Sequence, residues 1–271
     1  VVNGLFTIPL DFGWNFNGEA RWLESSIGCG EAQATLAPRT SLLPAPYSFA
    51  LPGMRTVPGD NDTSGDPTMN VIGGIMHGAI SNTISANSYN SAIGGGYRNR
   101  IDGNSTLGAI GGGLSNMITG TSRSSVIGGG DTNRINGSSD NSVIGGGTVN
   151  FILGTSVDSV IAGGHGNRID LNSGQSAIGG GFQNRINDLS SRSAIGSGSA
   201  NVISGTSYNS AIGGGERNVI SGTSYNSAIG GGDGNLITNS SYRSTIGGGS
   251  GNAINAVSGR SGIGGGLNNL I

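Results

Sequence analysis

The sequence predicts an all-β fold: a parallel β-solenoid, built as a narrow β-roll of 17 residues per coil and about 12 coils, preceded by a small β-rich N-terminal domain. Three observations carry this reading. An isoleucine followed by small residues returns every 17 positions without insertion or deletion, glycines and asparagines keep fixed places within the unit, and the composition changes abruptly near residue 70. A disordered tract has no physical reason to hold such a register. A lone coil cannot bury its own isoleucines, whereas stacked coils share a continuous core.

The unit reads I-G-G-G-x-x-N-x-I-x-x-x-S-x-x-S. Its first isoleucine runs Ile93, Ile110, Ile127 and on to Ile263, with Met76 in the same phase one step earlier. Six residues on stand Asn99, Asn116, Asn133 and their equivalents, and two further on Ile101, Ile118 and Ile135 begin a second isoleucine row. A serine column includes Ser105 and Ser122. Seventeen residues containing a glycine triplet leave too little room for two helices. Two short strands fit, around residues 91–93 and 99–101, with glycines 94–96 turning between them and a Gly/Asn/Ser/Thr-rich stretch from Asp102 making the other turn. Equivalent residues then stack about 4.8 Å apart.

Side chains alternate across a strand. With Ile93 and Ile101 inward, Ser91 and Asn99 also point in, while Ala92 and Arg100 point out. Each buried isoleucine contributes about 1.5–3 kcal/mol, opposed by about 1–2 kcal/mol per residue of ordered backbone. Coils must therefore draw stability from their neighbours. The asparagine column fits either an amide ladder between coils or a turn residue bonding its own backbone. The outward column Ala92, Ala109, Val126, Val143, Val160, Ala177, Ala194 is small and nearly apolar where a solvated face should carry charge. At about 4.8 Å per coil it extends about 50 Å. Such a stripe marks an interface, here lateral self-association as a trimer; the competing reading is a column half-buried within the roll itself. The opposite face, with Arg100, Met117, Arg134 and Phe151, is wetter and irregular.

All seven prolines lie at or before Pro67, as do Trp14, Trp22 and Cys29, and only 8 of the 55 glycines fall in residues 1–70. This predicts a capping or assembly domain over 1–70 and the solenoid over 71–271. Strands are expected at Leu5–Ile8, Ala20–Leu23 and Tyr47–Ala50.

A net charge of −2, with 13 arginines and no lysine, excludes a basic nucleic-acid surface. No run approaches the roughly 18 apolar residues of a membrane span. Cys29 stands alone, either as a small buried residue or as an intersubunit disulfide. His77 and His165 lack a carboxylate at a spacing that suggests a metal or general base. The glycine triplets lack the Lys-Ser/Thr and helix of a phosphate loop. The 17-residue period departs from the hexapeptide period of left-handed-helix acyltransferases, and the calcium-binding nonapeptide roll needs an aspartate in every unit. No catalytic, metal or cofactor residue is therefore nominated, and no enzyme activity or cofactor is expected. Tyr208, Tyr225 and Tyr242 share one phase on a turn, as an aromatic ladder or a candidate surface-binding strip.

The stretches NGLFTIPLDFG, FNGEARWLE and LAPRTSLLPAPYSFALPG resemble the lead-in segment of secreted bacterial glycine-rich repeat proteins, some of which end in an endosialidase-type chaperone domain. The SAIGGG coils are similar to the heads of trimeric autotransporter adhesins, although those repeat every 14 residues. The resemblance implies trimerisation and surface display. Opening at Val1 without an initiator methionine fits a removed leader, and stopping at Ile271 in mid-coil fits a downstream domain or a head-to-tail filament. Two functional expectations follow: a non-enzymatic extracellular structural subunit of a surface fibre, or an adhesin or phage-like tail fibre recognising a glycan or cell surface.

Overall fold

The computed structural model describes residues 21–29, 32–42, 54–58, 69–73, 82–85, 87–255, 257 and 259–271. Among these residues every regular element is a β-strand. The chain divides into two compact units, Val1–Met54 and Arg55–Ile271. In the first, β1 (Arg21–Cys29) pairs antiparallel with β2 (Ala32–Leu42), and the register shifts between Leu23 and Ser25. β1 takes in most of the strand expected at Ala20–Leu23. Those expected at 5–8 and 47–50 lie outside the described residues.

The second unit is the β-solenoid. It runs through β3 (Met54–Pro58), β4 (Met69–Gly73), β5 (Thr83–Ile84), β6 (Ala92–Ile93) and β7 (Arg100–Ile101), and on through β8 to β26, the last being Gly262–Ile263. One sheet of 13 strands holds β3, β4 and the even-numbered strands from β6, and a second of 11 holds the odd-numbered strands from β5. Pairing is parallel and residue for residue: Val126 lies beside Val143 and Ile127 beside Ile144. Ten 17-residue steps separate Ile93 from Ile263, with partial turns before them. A third line of parallel bridges follows the turn from Tyr97–Leu114 to Ser250–Leu267.

The first rung corrects the count by arithmetic. Ile93 stacks on Ile72, and Ala92 on Val71, so the partner is 21 residues back and not the 17 that pointed to Met76. Met76 itself lies outside the described residues. The residues Val71-Ile72-Gly73-Gly74 repeat the local VIGG wording of later coils, and that wording marks the strand where the spacing does not.

The core is made of one residue type. All 22 buried apolar residues among those described are isoleucines, nearly all with no exposed surface. A β-branched side chain suits a strand and packs against its own copy one rung away. Ile161→Val removes one methylene from this column and should cost about 0.5–1.5 kcal/mol. Hydrogen exchange should speed up at Ile161 and its two neighbouring coils; loss spread evenly over the solenoid would contradict nearest-neighbour stacking.

Left-handed backbone recurs at fixed places. Asn90, Leu107, Ser124 and Asn141 form one such column and Arg98, Ser115, Thr132 and Val149 another, with φ between 52° and 59°. This conformation costs about 1–2 kcal/mol at a non-glycine residue. It is held by what the turned amide reaches. Strand amides such as Ala92 N–H donate to the following coil (Gly108 O, 2.9 Å), whereas the left-handed Leu107 and Ser115 donate back to Tyr89 O and Tyr97 O at 2.9 and 2.8 Å. Each coil is thus tied to both neighbours.

Candidate functional site: polar ladders and exposed faces

Buried polar groups need partners, and here the repeat supplies them. Asn150 is representative and fully buried. Its backbone N–H donates to Asn133 Oδ1 at 3.0 Å, and its own Oδ1 accepts from Asn167 N–H at 3.0 Å. Its Nδ2 donates to Gly146 O of its own turn at 3.0 Å and to Gly164 O of the next coil at 2.9 Å. The two readings of this column are therefore one arrangement: the side chain closes its own glycine turn and links coils. Asn99, Asn116 and Asn133 repeat it.

Two serine columns do the same at other corners. Ser122 Oγ donates to Thr119 O at 2.9 Å and accepts from Ser139 N–H at 3.3 Å. Ser105 is buried in the same column, but its Oγ has no partner, so the hydroxyl chain begins one coil later. The second column is illustrated by Ser142, whose Oγ donates to Ser156 O at 3.1 Å and accepts from Ser159 N–H at 3.2 Å. Ile93, Ile110, Ile127, Ile101, Ile118 and Ile135 fill the space between these polar corners.

The outward stripe is on the surface. Ala92, Val126, Val160, Ala177 and Ala194 are exposed, Val126 at 37% and Val160 at 40%, and Ala109 and Val143 are half-buried. Their backbones lie in the unbroken 13-stranded sheet, and the column carries only small side chains from Ala92 to Gly262.

The opposite face was expected to be wet, and in two places it carries ion pairs that sequence spacing did not reveal. Arg168 Nε donates to Asp170 Oδ2, and Arg185 lies 3.7 Å from the same oxygen. The Asp170 side chain is only 2% exposed. Arg100 pairs with Asp102 at the equivalent place. The signal was present as Arg-Ile-Asp, the aspartate following directly after the two-residue strand Arg168–Ile169 or Arg100–Ile101. On the turn, Arg217 donates to both carboxylate oxygens of Asp233 at 3.0 Å. The hydrogen bond to Asp233, the Asp233 charge and then that of Glu216 raise the Arg217 pKa above its ordinary value.

Tyr208, Tyr225 and Tyr242 stack. Their ring centroids are 5.0 and 5.3 Å apart with interplanar angles of 3° and 9°. His165 and Phe182 stack likewise at 5.3 Å. The far face of Tyr242 lies against Gly259, where a Cβ would fall 2.6 Å from Tyr242 Cζ. The facing sides of consecutive rings are thus covered by one another. Among the described residues no group of three His, Cys, Asp or Glu is placed to hold a metal, and no helix is long and apolar enough to cross a membrane.

Fold and ladders together define a β-solenoid repeat protein of 17-residue coils. No family model and no curated protein matches the chain.

Proposed function

We propose that the chain is a non-enzymatic extracellular structural protein, a subunit of a surface fibre or filament. It associates with copies of itself through the solenoid, as a lateral trimer, and the N-terminal domain takes part in assembly. The observation that carries this reading is the outward column Ala92 to Gly262, small and in register over ten turns. A long apolar face of this kind is stabilised when a matching face removes it from water. Inside, the asparagine column and most of the buried serines are engaged in ladders, which suits a rod whose work is mechanical.

Sedimentation of Val143→Glu/Ala177→Glu tests it. Two charges on the stripe should convert the wild-type oligomer into monomers while leaving the coils intact, because both side chains point outward. An oligomer unchanged by both charges would refute association through this face.

A second reading, as an adhesin, is favoured by one feature. The column Tyr97, Leu114, Asp131, Thr148, His165, Phe182 varies freely on an invariant frame, as recognition positions do. Glycan or cell-surface binding that maps to this column would support it over the purely structural role.

A further inference from the structure

We propose that Tyr208, Tyr225 and Tyr242 form an oxidative cross-linking site, at which a one-electron oxidant joins neighbouring phenols into dityrosine and staples consecutive coils. The inference is independent of the role of the rod.

The geometry has three parts. The rings are parallel and one rung apart, at 5.0 and 5.3 Å, so equivalent carbons of adjacent rings repeat at about the strand spacing. The strip is accessible to an oxidant, since Tyr208 is 37% exposed and the other two are half-buried. The ladder beneath them fixes the spacing, since Asn226 N–H donates to Tyr208 O and Arg243 N–H to Tyr225 O, both at 3.0 Å. The remaining described tyrosines lack this arrangement. Tyr89 donates its hydroxyl to Asn87 and is followed in its column by Thr106, and Tyr97 lies beneath the Arg98 guanidinium with Leu114 next in line.

The chemistry balances as follows. Each of two phenols gives one electron and its hydroxyl proton to the oxidant and becomes a phenoxyl radical. The radicals couple through their ortho carbons, and each ring then moves the proton from its new bonding carbon to its oxygen, restoring the phenol. A peroxidase with hydrogen peroxide is such an oxidant: the peroxide takes two electrons and two protons and leaves as two waters. The protein loses two hydrogen atoms per link.

Treatment of the whole chain at micromolar concentration with peroxidase and hydrogen peroxide tests this. A neighbouring ring on the same chain is present at an effective concentration on the order of millimolar or more, so links within the rod should exceed links between chains by about 10³-fold. Trypsin cuts after Arg192, Arg217 and Arg243, so a Tyr208–Tyr225 link joins peptides 193–217 and 218–243, while a Tyr225–Tyr242 link closes a loop within the second. Dityrosine fluorescence with these products, in chains that still run singly on a denaturing gel, is the expected result. Tyr225→Phe keeps the stack but removes the shared phenol, and should abolish both links; Tyr208→Phe should abolish only the first. Dityrosine that survives Tyr225→Phe at the wild-type level, that maps to Tyr89 or Tyr97, or that forms only between chains would overturn the proposal, as would its absence in the wild type.

Discussion

Replacing Asn150 with alanine is expected to destabilise the solenoid by about 2–4 kcal/mol, because it leaves a buried donor and a half-buried acceptor unpaired at once. Gly146 O loses its donor and Asn167 N–H its acceptor, while Gly164 O keeps Thr148 N–H at 2.9 Å. The Asn167 N–H cannot turn to water, since the bond it loses is buried, whereas Gly146 is half-buried. Asn150→Asp is the sharper variant. It keeps an oxygen for Asn167 N–H but aims a second carboxylate oxygen at the two glycine carbonyls, so it should be no more stable than alanine at neutral pH. Urea denaturation followed by hydrogen exchange across coils 133–167 reads both. A loss under about 1 kcal/mol, typical of a solvated turn asparagine, would remove the ladder from the account of what holds the rod together.

The second large effect is expected at Gly147→Ala, about 2–5 kcal/mol, the sum of left-handed backbone at alanine and overpacking against the next coil. Gly147 has φ +86°, and a Cβ there would lie 2.1 Å from Gly164 O and 2.8 Å from Asn150 Nδ2. The chain contains its own control. Across the eleven triplets from Gly94 to Gly266, the first position is once alanine (Ala162) and the second once serine (Ser197), but the third is glycine every time. Gly146→Ser, where the nearest atom to a new Cβ is 4.0 Å away, should therefore be close to neutral. Equal melting temperatures for Gly147→Ala and Gly146→Ser would show that glycine in the third column is not demanded by the close approach of coils.

These positions also show what the sequence made legible and why. A residue such as Ile127 sees its own kind above and below, so its environment is written out repeatedly along the chain, and the inward columns could be read by spacing alone. The same holds for Asn99, Asn116 and Asn133, although spacing did not disclose that one amide serves its turn and the next coil together. Legibility fails where contacts cross columns. Asp170, just after the strand that carries Arg168, pairs with Arg168 and lies near Arg185 of the next coil; Arg-Asp pairing returns only at Arg100 and Asp102, too seldom to leave a periodic trace. It fails again at the first rung, where Ile72 fits by its local motif while the count of 17 leads elsewhere. The left-handed columns were faintly signalled by Asn90, Asn141, Asn209 and Asn226, but Leu107 and Val149 share that backbone because inter-coil hydrogen bonds override intrinsic preference.

The unbroken register of ten steps has one more consequence. Every bond that a coil makes to its predecessor is of the kind its successor makes to it, so a 17-residue cassette removed from the interior leaves two surfaces that already fit. Length is then a quantity the gene can set by duplication or loss of whole cassettes, in increments of about 4.8 Å, and the molecule is a gauge whose reading is the number of its copies.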